Sequence, residues 1–233
     1  MVDTDRLAER NIVGHLPSGR KSNVFRMLRT QVLSKLRSNN CKVLAIVGPT
    51  EGIGKSYVAL NLALSIANQG TLDVSLVDLD LRKPSVARIL DVSPTHSVLD
   101  YLVGGNSLSD VGFNTQFDNI TFYTGRAPTD RAAELLASNR ARDLITNLSS
   151  EDNALVIVDL PPMCGIADVH TFLPNCDAAL LVMQYAKTSK QDIEETIRLL
   201  GKTPLVGSVI NQGLVSENVA YGYGYGDGSD ENS

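Results

Sequence analysis

The chain has 233 residues, of which 43% are hydrophobic and 20% charged, and its formal net charge at pH 7 is −5. This composition is typical of a globular protein with a substantial core, and its acidic balance gives no sign of a nucleic-acid partner. The longest apolar runs, at 154–158 and 178–183, are far shorter than the ~20 residues of a membrane-spanning helix.

The chain begins with a polar stretch and continues with alternating strands and helices. Residues 1–22 mix charged residues with Gly, Pro and Ser, so we expect a flexible N-terminal arm. Apolar residues at helical spacing predict an amphipathic helix over 24–36. The pattern then predicts strands at 42–47, 74–77, 120–123, 154–158, 178–182 and 205–210, with helices at 55–68, 131–148 and 190–200. This alternation indicates an α/β fold with a mostly parallel central sheet and helices on both faces.

The C-terminal segment has a different composition from the rest. From Ala220 onward Tyr alternates with Gly and is followed by acidic residues, with no aliphatic periodicity. We therefore expect one folded domain over 23–213 and a disordered acidic tail over 214–233. The tail carries three tyrosines, Tyr221, Tyr223 and Tyr225.

The three cysteines, Cys41, Cys164 and Cys176, are far apart and form no Cys-x-x-Cys pair. Because they lie in or beside apolar runs, we expect reduced, buried thiols rather than disulfides or metal ligands. Reduced thiols are typical of cytoplasmic proteins.

A glycine-rich loop at 48–56 follows the first predicted strand and leads into a helix, as in P-loop nucleotide-binding proteins. Gly52 and Gly54 allow the backbone to approach a triphosphate closely. Lys55 can reach the β- and γ-phosphates, and the Ser56 hydroxyl can bind Mg²⁺. The partial positive charge at the helix N-terminus points at the same place. The loop therefore predicts binding of ATP and Mg²⁺.

The loop departs by one place from the strict pattern GxxxxGK[ST], because Pro49 stands where the first Gly is expected. That position shapes the loop rather than donating a hydrogen bond, so we retain the prediction of a nucleotide site. Ile53 and Tyr57, which flank the key residues, are assigned to the same nucleotide-binding segment. The alternative is a glycine-rich turn that binds nothing.

Carboxylates stand at the ends of two further predicted strands. Asp78 and Asp80 lie on the same side of an extended chain, and Asp159 ends the strand that precedes two prolines. Ligands of parallel sheets bind at the carboxyl ends of the strands, where the loop also lies. We expect Asp159 to hold Mg²⁺, and Asp78 or Asp80 to accept a proton from an attacking hydroxyl. The alternative for Asp80 is a turn or helix cap.

The set of motifs resembles that of the bacterial tyrosine kinases of capsule and exopolysaccharide synthesis, which are relatives of the MinD/ParA P-loop ATPases. The similar segments are, in chain order, 48–56, 75–84, 133–138, 157–162 and 206–211. The first resembles the family's Walker A motif, the second its Walker A′ motif and the fourth its Walker B motif. The resemblance as a whole covers roughly residues 20–212.

The resemblance implies ATP-dependent phosphorylation of tyrosines in the tail of a partner protomer, hence a homo-oligomer. It implies a membrane-embedded chain-length-determinant protein as activator, which places the chain at the inner face of the membrane. It also implies catalytic roles for Lys55, Asp78 and Asp80, and metal binding by Ser56, Asp78 and Asp159. Asn211 would contact the adenine. The phosphate acceptors would be Tyr221, Tyr223 and Tyr225.

A few positions differ from the family's usual residues. Glu51 stands where the loop usually has Pro, and Ile53 where it has an acid. In the N-terminal helix Arg26 and Arg29 match a ring-assembly motif whose Glu is replaced by Asn23. Two alternatives to a kinase therefore stay open: an ATPase switch of the MinD/ParA type, and a non-catalytic ATP-binding subunit of the polysaccharide machinery.

Overall fold

The computed structural model describes residues 2–165 and 168–213. The predicted tail at 214–233, with its three tyrosines, lies outside the described residues. A six-stranded parallel sheet forms the centre of the domain. Its strands are β1 Val43–Val47, β2 Asp73–Asp78, β3 Ile120–Tyr123, β4 Ala154–Asp159, β5 Ala178–Gln184 and β6 Leu205–Asn211. They lie side by side in the order β3-β2-β4-β1-β5-β6.

Helices cover both faces of this sheet, which confirms the predicted fold class. They are α1 Thr4–Glu9, α2 Arg20–Ser38, α3 Lys55–Ala67, α4 Val86–Leu90, α5 Val98–Leu102, α6 Leu108–Val111, α7 Ala132–Leu136, α8 Asn139–Leu148, α9 Asp168–Phe172 and α10 Lys190–Leu199. A 3₁₀ turn follows α9 at Leu173–Asn175. Among the helices of the described residues, none is both long and apolar enough to cross a membrane.

The central strand β1 shows why the sheet is buried on both faces. Leu44 and Ile46 pack into one core with residues of α2 and α3. Val43, Ala45 and Val47 pack into the other, with residues of α5, α7 and α8. Successive side chains of a strand point to opposite faces, so a strand covered on both sides needs a continuous apolar run.

The segment predicted as a helix over 131–148 consists of two helices. The break lies at Ser138, which has extended backbone angles and whose hydroxyl accepts a hydrogen bond from Ala141 N at 3.2 Å. A serine in this position is an N-cap and starts a new helix rather than continuing the previous one. The apolar spacing alone did not reveal the interruption.

The prediction of a flexible arm over 1–22 is wrong for the residues that the structure describes. Leu7 and Ile12 are 1% and 0% exposed and belong to the same core as α3. Helix α2 already begins at Arg20. The reason is that a few well-placed apolar side chains bury enough surface to fix a short segment, although they form no recognisable periodic pattern.

Candidate nucleotide-binding site

The sheet register places the loop at 48–56 and two of the acids at the same edge. In the β2–β4 ladder Asp78 is paired with Asp159, and in the β1–β4 ladder Ile46 is paired with Asp159. The loop leaves β1 directly after Val47. Strand β4 therefore carries Asp159 between the loop on one side and Asp78 on the other.

The loop has the backbone shape of a phosphate cradle. Gly52 and Gly54 have φ of 72° and 94°, a region that favours glycine. Gly48 is buried, and a Cβ there would lie 2.3 Å from Ile53 Cδ1 and 2.8 Å from Val182 O. Close packing therefore requires the glycine at 48, which stands one residue before the first Gly position of the strict pattern GxxxxGK[ST]. The carbonyls of Gly48 and Pro49 accept hydrogen bonds from Met163 N and Cys164 N at 2.9 and 3.0 Å, which ties the loop to the chain after β4.

Asn211, at the end of β6, lies directly against the loop. Its Nδ2 donates to Ile53 O at 2.9 Å, and a Cβ added to Gly54 would lie 2.0 Å from the same nitrogen. The side chain therefore supports the loop backbone at Ile53 and packs against Gly54, the two residues before Lys55. Its predicted contact with adenine stays a prediction.

Lys55 opens α3 and is only 6% exposed. Its ammonium donates to Thr50 O at 3.4 Å, a long hydrogen bond across the loop. The charge therefore lies inside the concave side of the loop, where a phosphate oxygen would replace the weakly held carbonyl. The half-buried Ser56 follows on the first turn of the helix.

Asp159 is the most unusual group of the site. It is fully buried, and neither of its carboxylate oxygens has a hydrogen-bond partner among the described residues. Burial and the neighbouring Asp78 raise the pKa of Asp159 to about 8, while Lys55 and the Ser56 hydroxyl act to lower it. A buried carboxylate without partners calls for a cation, and oxygen ligands of this kind fit Mg²⁺. Asp159 and Ser56 are the residues that could hold it, the carboxylate directly or through water.

The Asp78 carboxylate is occupied by its own loop. Its Oδ2 accepts hydrogen bonds from Ser85 N and Val86 N at 2.9 and 3.0 Å, and Oδ1 accepts one from Asp80 N at 3.2 Å. Burial raises the pKa of Asp78 to about 6 against the effect of these hydrogen bonds. Asp78 thus fixes the chain between β2 and α4, in addition to the catalytic and metal roles predicted for it.

Asp80 reaches the surface, whereas Asp78 and Asp159 are completely buried. Its Oδ1 accepts a hydrogen bond from Lys83 N at 3.0 Å, so the side chain caps a turn, as the alternative interpretation expected. Among these three acids it is therefore the one that an incoming hydroxyl can approach from solvent.

Two ion pairs join the loop after β2 to its neighbours. Arg82 Nε donates to Asp168 Oδ2 at 2.8 Å, and Asp168 is almost fully buried at the start of α9. The exposed Lys83 pairs with Glu51 at the tip of the glycine-rich loop. Neither pair could be predicted from the sequence, because the partners are 86 and 32 residues apart.

Asn61, on α3, is a structural residue whose role the sequence did not reveal. It is fully buried, and its Oδ1 accepts hydrogen bonds from Val13 N and Gly14 N at 2.7 and 2.9 Å. It thereby attaches the N-terminal segment to the helix that begins at Lys55. The Tyr57 ring packs edge-on against Phe25 of α2 at 5.8 Å, so this side chain faces α2 and its assignment to the nucleotide stays a prediction.

Comparison with known proteins identifies the family. The family model described as ParA, NUBPL iron-transfer P-loop NTPase, matches residues 39–220. A putative tyrosine-protein kinase EpsB from Ralstonia solanacearum is 30% identical over 90% of this chain, which spans only 28% of that relative. A putative tyrosine-protein kinase CapB from Staphylococcus aureus is 24% identical over 91% of this chain and 92% of its own.

A solved structure gives the same answer and confirms the resemblance drawn from the motifs. The kinase domain of Escherichia coli tyrosine kinase ETK superposes with a TM-score of 0.81 at 26% identity, over 92% of this chain and 84% of that one. The chain belongs to the ParA family of P-loop NTPases, and among its homologues are proteins named bacterial tyrosine-protein kinases.

Proposed function

We propose that this chain is an ATP-dependent protein-tyrosine kinase that regulates capsular or exopolysaccharide synthesis. Its acceptors are Tyr221, Tyr223 and Tyr225 of another copy. The observation that carries the proposal is the partnerless buried carboxylate of Asp159 beside Lys55 and Ser56, with the solvent-accessible Asp80 following the neighbouring strand. Such a site holds a metal–triphosphate and leaves one acid for the acceptor. The names of the EpsB, CapB and ETK relatives support the same activity.

In this mechanism each residue has a separate task. The backbone of the loop and the Lys55 ammonium bind the β- and γ-phosphates, and Ser56 and Asp159 hold Mg²⁺, which neutralises phosphate charge when bound. The tyrosine oxygen forms a bond to the γ-phosphorus as the bond to the ADP oxygen breaks. Asp80 accepts the phenolic proton and releases it to solvent. Asp78 keeps Asp80 in place through the loop that it holds.

The assembly that we propose is a homo-oligomer on the cytoplasmic face of the membrane, activated by a membrane-embedded chain-length-determinant protein. Helix α2 offers a surface for self-association, because Val24 and Met27 are 60% and 58% exposed and lie three residues apart. The nearby arginines are engaged within the chain, Arg26 with Pro17 O and Arg29 with Ser65 O, both at 2.7 Å. Apolar contacts of this helix, rather than its arginines, are therefore available to a neighbour.

The test is transfer of γ-phosphate from radiolabelled ATP by the full chain. We expect label on tyrosine, lost when the three tail tyrosines are replaced by Phe and lost in Lys55→Met. Lys35→Met, which changes an exposed lysine of α2, is the matched control and keeps the label. Release of free phosphate without labelled protein would instead indicate the ATPase switch. Binding of ATP without any turnover would indicate the non-catalytic subunit.

A further inference from the structure

An open groove of about 660 Å³ lies beside the loop that carries Asp80. One wall is the start of α4 and the turn after it, and the other is the chain after β3. The two walls meet where Gly125 touches Pro84, since a Cβ on Gly125 would lie 2.3 Å from Pro84 Cβ. The residues that matter here are Pro84, Arg88, Asp91, Thr95, Gly125 and Arg126. We call this surface the basic groove.

The groove is positively charged. Arg88 and Arg126 are exposed, and neither guanidinium takes part in an ion pair among the residues that the structure describes. Arg126 Nη1 is held by Thr95 O at 3.0 Å. The acid of the groove, Asp91, is already neutralised by Arg6 at 2.7 Å. The groove therefore presents two unneutralised cations to a ligand.

The groove is connected to the predicted catalytic acids through the backbone. The Asp78 carboxylate binds Ser85 N and Val86 N, which fixes the start of the helix that carries Arg88. Pro84 is only four residues beyond Asp80. A peptide that places a hydroxyl at Asp80 can therefore continue directly into the groove.

The sequence at 214–233 has the complementary charge. It contains four acids, Glu217, Asp227, Asp230 and Glu231, and neither Lys nor Arg. Three of these acids follow Tyr225 by two, five and six residues, a distance of up to ~20 Å in an extended chain. Glycines at 226 and 228 leave this stretch without bulky side chains that would obstruct a shallow groove.

We propose that the basic groove docks the acidic residues 227–231 of a second copy of the chain and so guides Tyr225 to Asp80. This rests on the proposed kinase function and adds the recognition element that selects the acceptor. The sequence of the tail begins after β6, and Arg126 follows β3. These two strands form opposite edges of the sheet, which favours delivery by a second copy. The described chain thus ends beside the sheet edge opposite to the one that carries the groove.

Direct binding tests the groove without requiring catalysis. The probe is a fluorescein-labelled peptide of residues 219–231, titrated into full chain whose own four tail acids are changed to Asn or Gln to prevent self-competition. Reversing both cations, with Arg88→Glu and Arg126→Glu, should weaken binding by about tenfold or more, since two attractions become repulsions. Added salt should weaken it as well. Arg142→Glu, an exposed arginine of α8, is the matched control and leaves affinity unchanged. Equal affinity of the groove variant and the control would overturn the proposal.

Kinetics distinguish failure of the groove from failure of the kinase. With Lys55→Met full chain as acceptor, the groove variant should raise KM for the acceptor about tenfold and leave kcat and KM for ATP unchanged. Acceptors that carry Asp227→Lys and Asp230→Lys should return the KM of the groove variant to the low value of the wild-type enzyme and acceptor. Unchanged KM with normal transfer refutes the docking alone, whereas peptide binding without any transfer refutes the kinase and retains the groove. Failure of the wild-type chain to label the Lys55→Met full chain in a mixture of the two, while it labels itself, contradicts delivery by a second copy.

Discussion

Asn61 offers the sharpest test of how the N-terminal segment is attached to the nucleotide-binding helix. Asn61→Leu keeps the size of the side chain and removes its amide. Val13 N and Gly14 N, which donate to Asn61 Oδ1 at 2.7 and 2.9 Å, then lose their acceptor in a buried position. A Cβ at Gly14 would lie 2.1 Å from Asn61 O, so the two segments are in direct contact and leave no room for a replacing water.

The magnitude follows from the two possible responses of the chain. If the segment stays in place, two buried N–H groups without partners cost about 1–3 kcal/mol each. If it detaches, Leu7 and Ile12 lose their burial, at about 1.5–3 kcal/mol each. Both responses lead to a similar loss, so we expect the free energy of unfolding to fall by about 3 kcal/mol.

Urea denaturation of the nucleotide-free chain measures this loss. The matched control is Asn68→Leu, which makes the same chemical change at an exposed position at the end of the same helix and should alter stability by less than about 0.5 kcal/mol. If the free energy of unfolding of Asn61→Leu lies within about 1 kcal/mol of that of the parent chain, the hydrogen bonds do not hold the segment as we describe.

Three further changes test other parts of the site. Gly54→Ala should weaken ATP binding in calorimetry, because its Cβ would lie 2.0 Å from Asn211 Nδ2 and displace the amide that donates to Ile53 O, whereas Gly201→Ala, also at positive φ but with open space, should leave binding intact. Above about pH 8, where burial and Asp78 no longer keep Asp159 protonated, Asp159→Asn should raise the melting temperature of the Mg²⁺-free chain, since it removes a buried charge. It should also abolish the Mg²⁺ dependence of ATP binding. Arg82→Ala should cost about 1–2 kcal/mol by leaving buried Asp168 unpaired; a double-mutant cycle with Asp168→Ala that shows no coupling contradicts this.

Much of the sheet could be predicted because each strand is specified by its own short run of residues. A strand covered on both faces requires uninterrupted apolar residues, and each such run became a strand within two residues of its predicted ends. The glycine-rich pattern ending in Lys55 and Ser56, between a predicted strand and a predicted helix, identified the loop at 48–56 in the same way. In the structure Gly52 and Gly54 of this loop have positive φ. That Asp78 and Asp159 lie at the same edge followed from the rule that ligands bind at the carboxyl ends of parallel strands, whereas their direct pairing in register became known only from the structure.

What the sequence did not reveal depends on contacts between distant residues. The burial of Leu7 and Ile12 becomes visible only when α3 is in place to cover them. Whether Asp80 caps a turn or faces a ligand depends on the position of Lys83 N. Ser138 could be recognised as an N-cap in hindsight, but a serine within an apolar helical pattern is equally compatible with an unbroken helix.

The central claim is that the site around Lys55 transfers phosphate to the tail tyrosines, and phosphosite mass spectrometry tests it most directly. The purified full chain is incubated with Mg²⁺ and ATP beside its Lys55→Met variant. We predict phosphotyrosine at Tyr221, Tyr223 and Tyr225 in the parent chain and none in the variant. ATP consumed by the parent chain with these tyrosines unmodified would contradict the account.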